Sequence, residues 1–158
     1  MAELEFADGR PEEALRLVSE ALEIGLRGKA AADIAADQAN AAAYRIALGD
    51  ITGARASARE ALRWARQAGA ELFVPISLGH LALLSGLSGD ARRAAQLLGY
   101  VDARYQELGT EREPTEQWSY DTLMATLRET LSEDEIAKLA AEGAAWPEDH
   151  AVEAALGV

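Results

Sequence analysis

The 158-residue chain contains no cysteine, only four prolines and few aromatic residues, with three tryptophans, four tyrosines and two phenylalanines. Without cysteine, a disulfide scaffold, a thiolate zinc site and a cysteine nucleophile are all excluded. None of these is needed at this length, because a chain of about 150 residues buries about 68–70% of its unfolded surface in one core. Long apolar runs are missing as well. No stretch approaches the roughly 20 residues of a membrane span, and Met1 to Arg10 carries acids where a secretory signal carries bases. The expected setting is soluble and cytoplasmic.

Positive charge is also scarce. The net charge is −12, and it is unevenly spread: residues 1–109 hold 15 acids and 12 bases, whereas residues 110–158 hold 12 acids and three bases. An acidic surface of that kind repels phosphate backbones and anionic lipid, which argues against direct nucleic-acid binding and against membrane partners. What the chain has in abundance is alanine, 35 residues of it. Alanine is the best helix former and lets backbones approach closely, so the composition points to packed helices rather than to a sheet. The expected fold class is all-α.

A repeat organises the first two thirds. Gly9, Gly49 and Gly89 are spaced by 40 residues, each is followed by a polar residue (Arg10, Asp50, Asp90), and each has an alanine five positions on (Ala14, Ala54, Ala94). Seven further on stand Ala21, Ala61 and Val101. Glycine ends one helix, the polar residue caps the next, and the small residues let the two pack as a hairpin. This pattern resembles the tetratricopeptide repeat (TPR), with a period of 40 rather than 34 and with Gln38 and Leu78 at the usual tryptophan position. Caps and periodicity predict helices over 2–8, 12–27, 30–48, 51–68, 70–87 and 90–108. The shortness of the first predicts that residues preceding Met1 belong to the same fold. Thr110 to Pro114 reads as a linker, followed by a helix with Trp118, Leu123, Leu127 and Leu131 on one side. Ser132 and Glu135 form a capping box that opens a helix to about Ala145, and Pro147 starts a last one ended by Gly157. The expected organisation is antiparallel hairpins stacked as a TPR-like solenoid over 1–109, closed by an acidic helical cap over 110–158.

Residues 92–157 resemble the C-terminal end of the large multidomain ATPases and LuxR-type transcriptional regulators of high-GC bacteria. The likeness rests on Ala94-Ala95-Gln96-Leu97-Leu98-Gly99, the linker Glu113-Pro114, Tyr120, Leu131-Ser132-Glu133-Asp134-Glu135-Ile136, Ala141-Glu142-Gly143 and Asp149-His150-Ala151-Val152. Ser132 replaces a usual glycine, Ala140 a frequent tryptophan and Pro147 a serine or threonine cap. The resemblance implies the sensing or assembly arm of a regulator whose remaining domains precede this segment. It implies no ATP hydrolysis by these residues: the one Gly-Lys pair, Gly28-Lys29, is followed by Ala30 and has Glu23 where a phosphate loop requires its first glycine.

Sites of chemistry are thin. His80 and His150 stand 70 residues apart without ligand-spaced partners, and there is neither a His-Glu-x-x-His nor a glycine-flanked serine elbow. No catalytic residue, metal ligand or cofactor site is expected. Trp64, Trp118 and Trp146 read as packing residues. Two surfaces remain. The first helices of the hairpins present an apolar candidate groove, Ala36, Ala39, Ala43 and Ile46, then Ile76, Gly79, Leu83 and Leu87, with Asn40 and Tyr44 as its polar members; such a surface must be covered by the chain's own C-terminal helices or by a partner helix. Arg55, Arg59, Arg63 and Arg66 form a basic stripe on one helix, a candidate dock for the acidic tail or an acidic partner. The expected function is a protein-interaction or effector-sensing module, the C-terminal part of an ATP-dependent transcriptional regulator, whose partners are a protein or peptide, the domains preceding it, or a second copy. The alternatives are a stand-alone TPR adaptor, an oligomerisation element or, in another class, a small enzyme.

Overall fold

The computed structural model describes residues 1–25, 28 and 30–157. Every regular element among these residues is helical: α1 (Ala2–Ala7), α2 (Pro11–Gly25), α3 (Ala31–Ala47), α4 (Ile51–Ala68), α5 (Phe73–Leu87), α6 (Ala91–Leu108), α7 (Pro114–Arg128), α8 (Glu133–Ala144) and α9 (Glu148–Leu156). The fold class is all-α, and among the described residues no helix is long and apolar enough to cross a membrane.

The helix ends follow from local chemistry. Gly9, Gly49 and Gly89 have φ of +76°, +78° and +92°, the left-handed region in which glycine alone carries no Cβ penalty. The amide after each reaches back to a carbonyl five residues earlier: Arg10 to Glu5 at 2.9 Å, Asp50 to Arg45 at 2.9 Å and Asp90 to Ser85 at 3.0 Å. Asp50 and Asp90 then accept from the amides of Gly53 and Arg93 at 2.9 and 3.1 Å, which starts α4 and α6. Gly69, halfway between Gly49 and Gly89, and Gly109, beyond Gly89, make the same turn at φ +62°, so from Gly49 onward the structural period is about 20 residues, one helix each, rather than the 40 of the hairpin. The recurring alanines Ala14, Ala54 and Ala94 are fully buried.

One predicted boundary differs and one falls outside the described residues. The helix expected from residue 70 begins at Phe73, because Pro75 lacks an amide proton and is tolerated only in a first turn. The end predicted at 27 for the second helix lies outside the described residues. Elsewhere the predicted ends agree to within two residues. The Ser132 box is formed, with the Ser132 amide donating to Glu135 at 2.8 Å and the Glu135 amide to Ser132 Oγ at 3.3 Å.

The helices gather into two compact units, Met1–Ser77 and Leu78–Val158, divided within α5. In the first, α1 packs on α2, α2 on α3 and α3 on α4. Both helices bury alanine: Ala35, Ala39 and Ala42 on α3 and Ala54, Ala58, Ala61 and Ala65 on α4 are all at most 2% exposed. In the second, α8 lies against α6, and α7 and α9 also touch α6. Leu97, Leu98, Val101, Leu123, Leu127, Ile136, Leu139 and Val152 are buried there.

The α6–α8 contact is a backbone contact. A Cβ on Gly99 would stand 1.9 Å from the Ala140 carbonyl oxygen, and one on Gly143 would stand 1.7 Å from that of Gln96. Each glycine therefore receives the other helix's main chain, three residues from where its own helix is received. Gln96 adds a hydrogen bond from Nε2 to Glu142 at 3.0 Å, and Arg93 Nη1 donates to the Gly157 carbonyl at 3.1 Å, tying the start of α6 to the end of α9.

This geometry predicts opposite outcomes for one chemical change. Gly99→Ala and Gly143→Ala are expected to destabilise the chain by about 3 kcal/mol each, since helix backbone rather than a flexible side chain must yield. Gly79→Ala, whose Cβ would meet nothing nearer than Val101 at 3.9 Å, is expected to stabilise by about 0.5–1 kcal/mol through helix propensity. Urea unfolding of the three variants at pH 7 checks both signs.

Candidate functional site

The candidate groove begins on α3, and α1 lies over part of it. Glu3 and Phe6 are one turn apart on α1, as Asn40 and Tyr44 are on α3, so the pairs meet in register. Asn40 Nδ2 donates to Glu3 Oε1 at 3.1 Å, and the Phe6 and Tyr44 rings stand 4.7 Å apart at 39°. Tyr44 is fully buried. A cleft of about 360 Å³ remains beside this contact, lined by Met1, Ala2, Glu3, Leu17, Val18, Ala21, Asp37 and Asn40. Its two carboxylates suit a basic or amide group better than a peptide carboxylate.

The other groove positions separate. Ala39, Ala43, Ile46 and Ile76 are core residues of the first unit; Leu83 is fully buried in the second. Ala36, Asn40 and Gly79 are half-buried, and Leu87, in the last turn of α5, is 42% exposed. Most of the set is interior, so the accessible part is confined to Ala36, Asn40, Gly79 and Leu87.

The arginine stripe is on the surface. Within α4, Ala54, Ser57, Ala58, Ala61, Leu62 and Ala65 are buried, Arg55 is half-buried, and Arg59, Arg63 and Arg66 are exposed. Arg63 grips Glu60 with two nitrogens, at 3.2 and 2.7 Å, and its guanidinium carbon lies 4.5 Å from the Trp64 ring centre. That fork holds the Glu60 carboxyl below its ordinary range. One arginine of the stripe is thus fixed in direction by its own helix, with Arg59 and Arg66 on either side.

The histidines go to different places. His150 is exposed and meets the Trp146 ring at a tilt of 56°, with ring centres 4.6 Å apart. His80, on α5, is 1% exposed, and its Nδ1 stands 3.0 Å from Ser119 Oγ on α7. Nε2 has no hydrogen-bond partner among the described residues. A serine paired with an imidazole has the elements of a nucleophile and base, but Ser119 is 4% exposed and neither side chain can meet a substrate in this structure. Sequence spacing could not have found this pair, since 39 residues separate its members. Among the described residues no three His, Asp or Glu side chains are grouped to hold a metal ion, and Lys29 of the Gly-Lys pair lies outside them. Compared with known proteins, the chain matches no family model, no curated protein and no solved structure.

Burial gives His80 a measurable consequence. Desolvation lowers its pKa from 6.5 to about 4. As the pH falls below 6.5 the unfolded chain takes up a proton that the folded chain refuses, so the stability tied to the neutral imidazole is lost between pH 6.5 and about 4. The loss between pH 7 and pH 5 is expected to be about 2 kcal/mol. Urea midpoints at the two pH values check it, and His80→Gln is expected to remove most of the difference.

Proposed function

We infer that the chain is a protein-interaction module built from TPR-like hairpins, and that the outer face of α4 receives an acidic segment of a partner. The two-sided build of α4 carries this reading. One side is alanine-rich and buried; the other presents four arginines with a single acid, Glu60, on a chain whose net charge is −12. A basic face on an acidic protein steers acidic partners to one place and sets their orientation. Arg63 is fixed in direction by Glu60 and Trp64, and Arg59 and Arg66 share its face. The turn geometry shared by Gly9, Gly49 and Gly89 supports the TPR-like reading of the hairpins. The resemblance of residues 92–157 to the C-terminal end of LuxR-type regulators supports the wider role, in which the module senses a partner or effector for an ATP-dependent transcriptional regulator. A reading frame upstream of Met1 that encodes a nucleotide-binding domain would support that role, and an in-frame stop would remove it.

A second reading, self-association, is favoured by exposed apolar side chains on or next to α1 and α2. Met1, Leu4 and Ile24 are 88%, 68% and 70% exposed.

Fluorescence anisotropy with a labelled Glu/Asp-rich peptide tests the first reading. Binding is expected to weaken with added salt and to fall by about tenfold in Arg59→Glu/Arg66→Glu, a change of about 1.4 kcal/mol. An unchanged affinity in that variant would remove the α4 face as the dock. For the second reading, sedimentation equilibrium is expected to show a dimer that Leu4→Glu/Ile24→Glu converts to monomer; a monomeric wild type sinks it.

A further inference from the structure

The linker between α6 and α7 carries a built cation site. Arg112 lies in the short stretch between Gly109 and Pro114, yet its side chain is only 17% exposed. Its guanidinium carbon is 4.7 Å from the Tyr105 ring centre and 4.4 Å from that of Tyr120, and Nη2 contacts Asp102 Oδ1. Asp102 and Tyr105 sit one turn apart on α6, and Tyr120 comes from α7, so two helices supply the walls. Two aromatic faces and a carboxylate around one planar cation form a receptor for guanidinium: the rings take its faces while the carboxylate takes its N–H edge. Burial, and then Glu116, raise the pKa of the Tyr105 hydroxyl, which keeps the ring a neutral phenol. Beside the cage opens a cleft of about 460 Å³, to which Gln106, Thr110, Glu111 and Gln117 also contribute. Acids outnumber bases 12 to three over residues 110–158, so the approach favours a cation.

The present occupant belongs to the chain itself and is held through a short linker. Such a tether supplies an effective concentration on the order of millimolar, which a partner side chain anchored by further contacts can overcome. We propose that Tyr105, Tyr120 and Asp102 form a receptor site for an arginine side chain of a partner protein, and that Arg112 is the internal occupant this arginine displaces. Arginine is specified over lysine because a compact ammonium cannot stack on both rings while bonding the carboxylate edge-on. The site is separate from the α4 face and does not rest on its role.

Arg112→Ala empties the cage and leaves its walls in place. Titration of this variant with acetyl-arginine amide, followed by the tyrosine ring resonances, is expected to give saturable shifts at Tyr105 and Tyr120. Binding is expected to be about tenfold tighter than to the wild-type chain, where the tether competes. Acetyl-lysine amide at matched ionic strength is expected to bind about tenfold more weakly than the arginine compound, and Arg112→Ala/Asp102→Asn to lose about tenfold in arginine affinity. No saturable shift in Arg112→Ala, or equal affinity in the wild type and all variants, would overturn the proposal. Circular dichroism establishes that the variants are folded. If Arg112→Ala is not, Arg112→Lys keeps a charged but poorer occupant, and failure of acetyl-arginine amide to displace it overturns the proposal equally.

Discussion

Alanine buries little area per residue, so helices made from it gain packing energy only when their backbones come nearly into contact. This constraint governs both units. In the first, α3 and α4 pack together and each buries a row of alanines. In the second, α6 and α8 carry the principle to its limit, with glycine where even a methyl would collide with the neighbouring main chain. Once α8 is seated there, the Gln96–Glu142 and Arg93–Gly157 hydrogen bonds hold the C-terminal helices on α6. The acidic tail is thus attached by shape, and its carboxylates remain at the surface.

That arrangement separates the two jobs of charge in this chain. On the tail, acids sit in first turns of helices, as at Glu133, Asp134 and Glu135, where the macrodipole favours them. The few cations are placed with more care. Arg63 is oriented by Glu60 and Trp64, and Arg112 by Asp102 and two tyrosines. In both cases a guanidinium is held by an acid and an aromatic face, the combination that fixes an arginine's direction where an exposed ion pair alone contributes little.

How far the sequence could be read depends on the range of each interaction. Helix ends were legible because their causes are local: a glycine, an aspartate one position later, a serine and glutamate three apart. Pro75 carried the needed information about the start of α5, since its position in a first turn follows from the missing amide. The arginine stripe was legible from its spacing on one helix. The cover over α3 was not, because Glu3 and Asn40 are 37 residues apart and nothing in either neighbourhood names the other. The groove positions came from the repeat register, which identifies a helix face but not whether that face is open. The Arg112 cage left one local trace, the Asp102 and Tyr105 pair one turn apart; Tyr120 joins it only through the way α7 folds back.

Two kinds of glycine in this chain would age differently in a lineage. A Cβ at the turn glycines 9, 49, 69, 89 and 109 would meet nothing within 4 Å, so asparagine, which tolerates the left-handed region, can replace them at modest cost and the visible period erodes while the hairpins persist. Gly99 and Gly143 leave no such freedom and must be inherited together or lost together. Descendants of this chain would therefore keep their architecture longest where the repeat is least apparent, and two residues 44 positions apart would outlast the motif that first marks the fold.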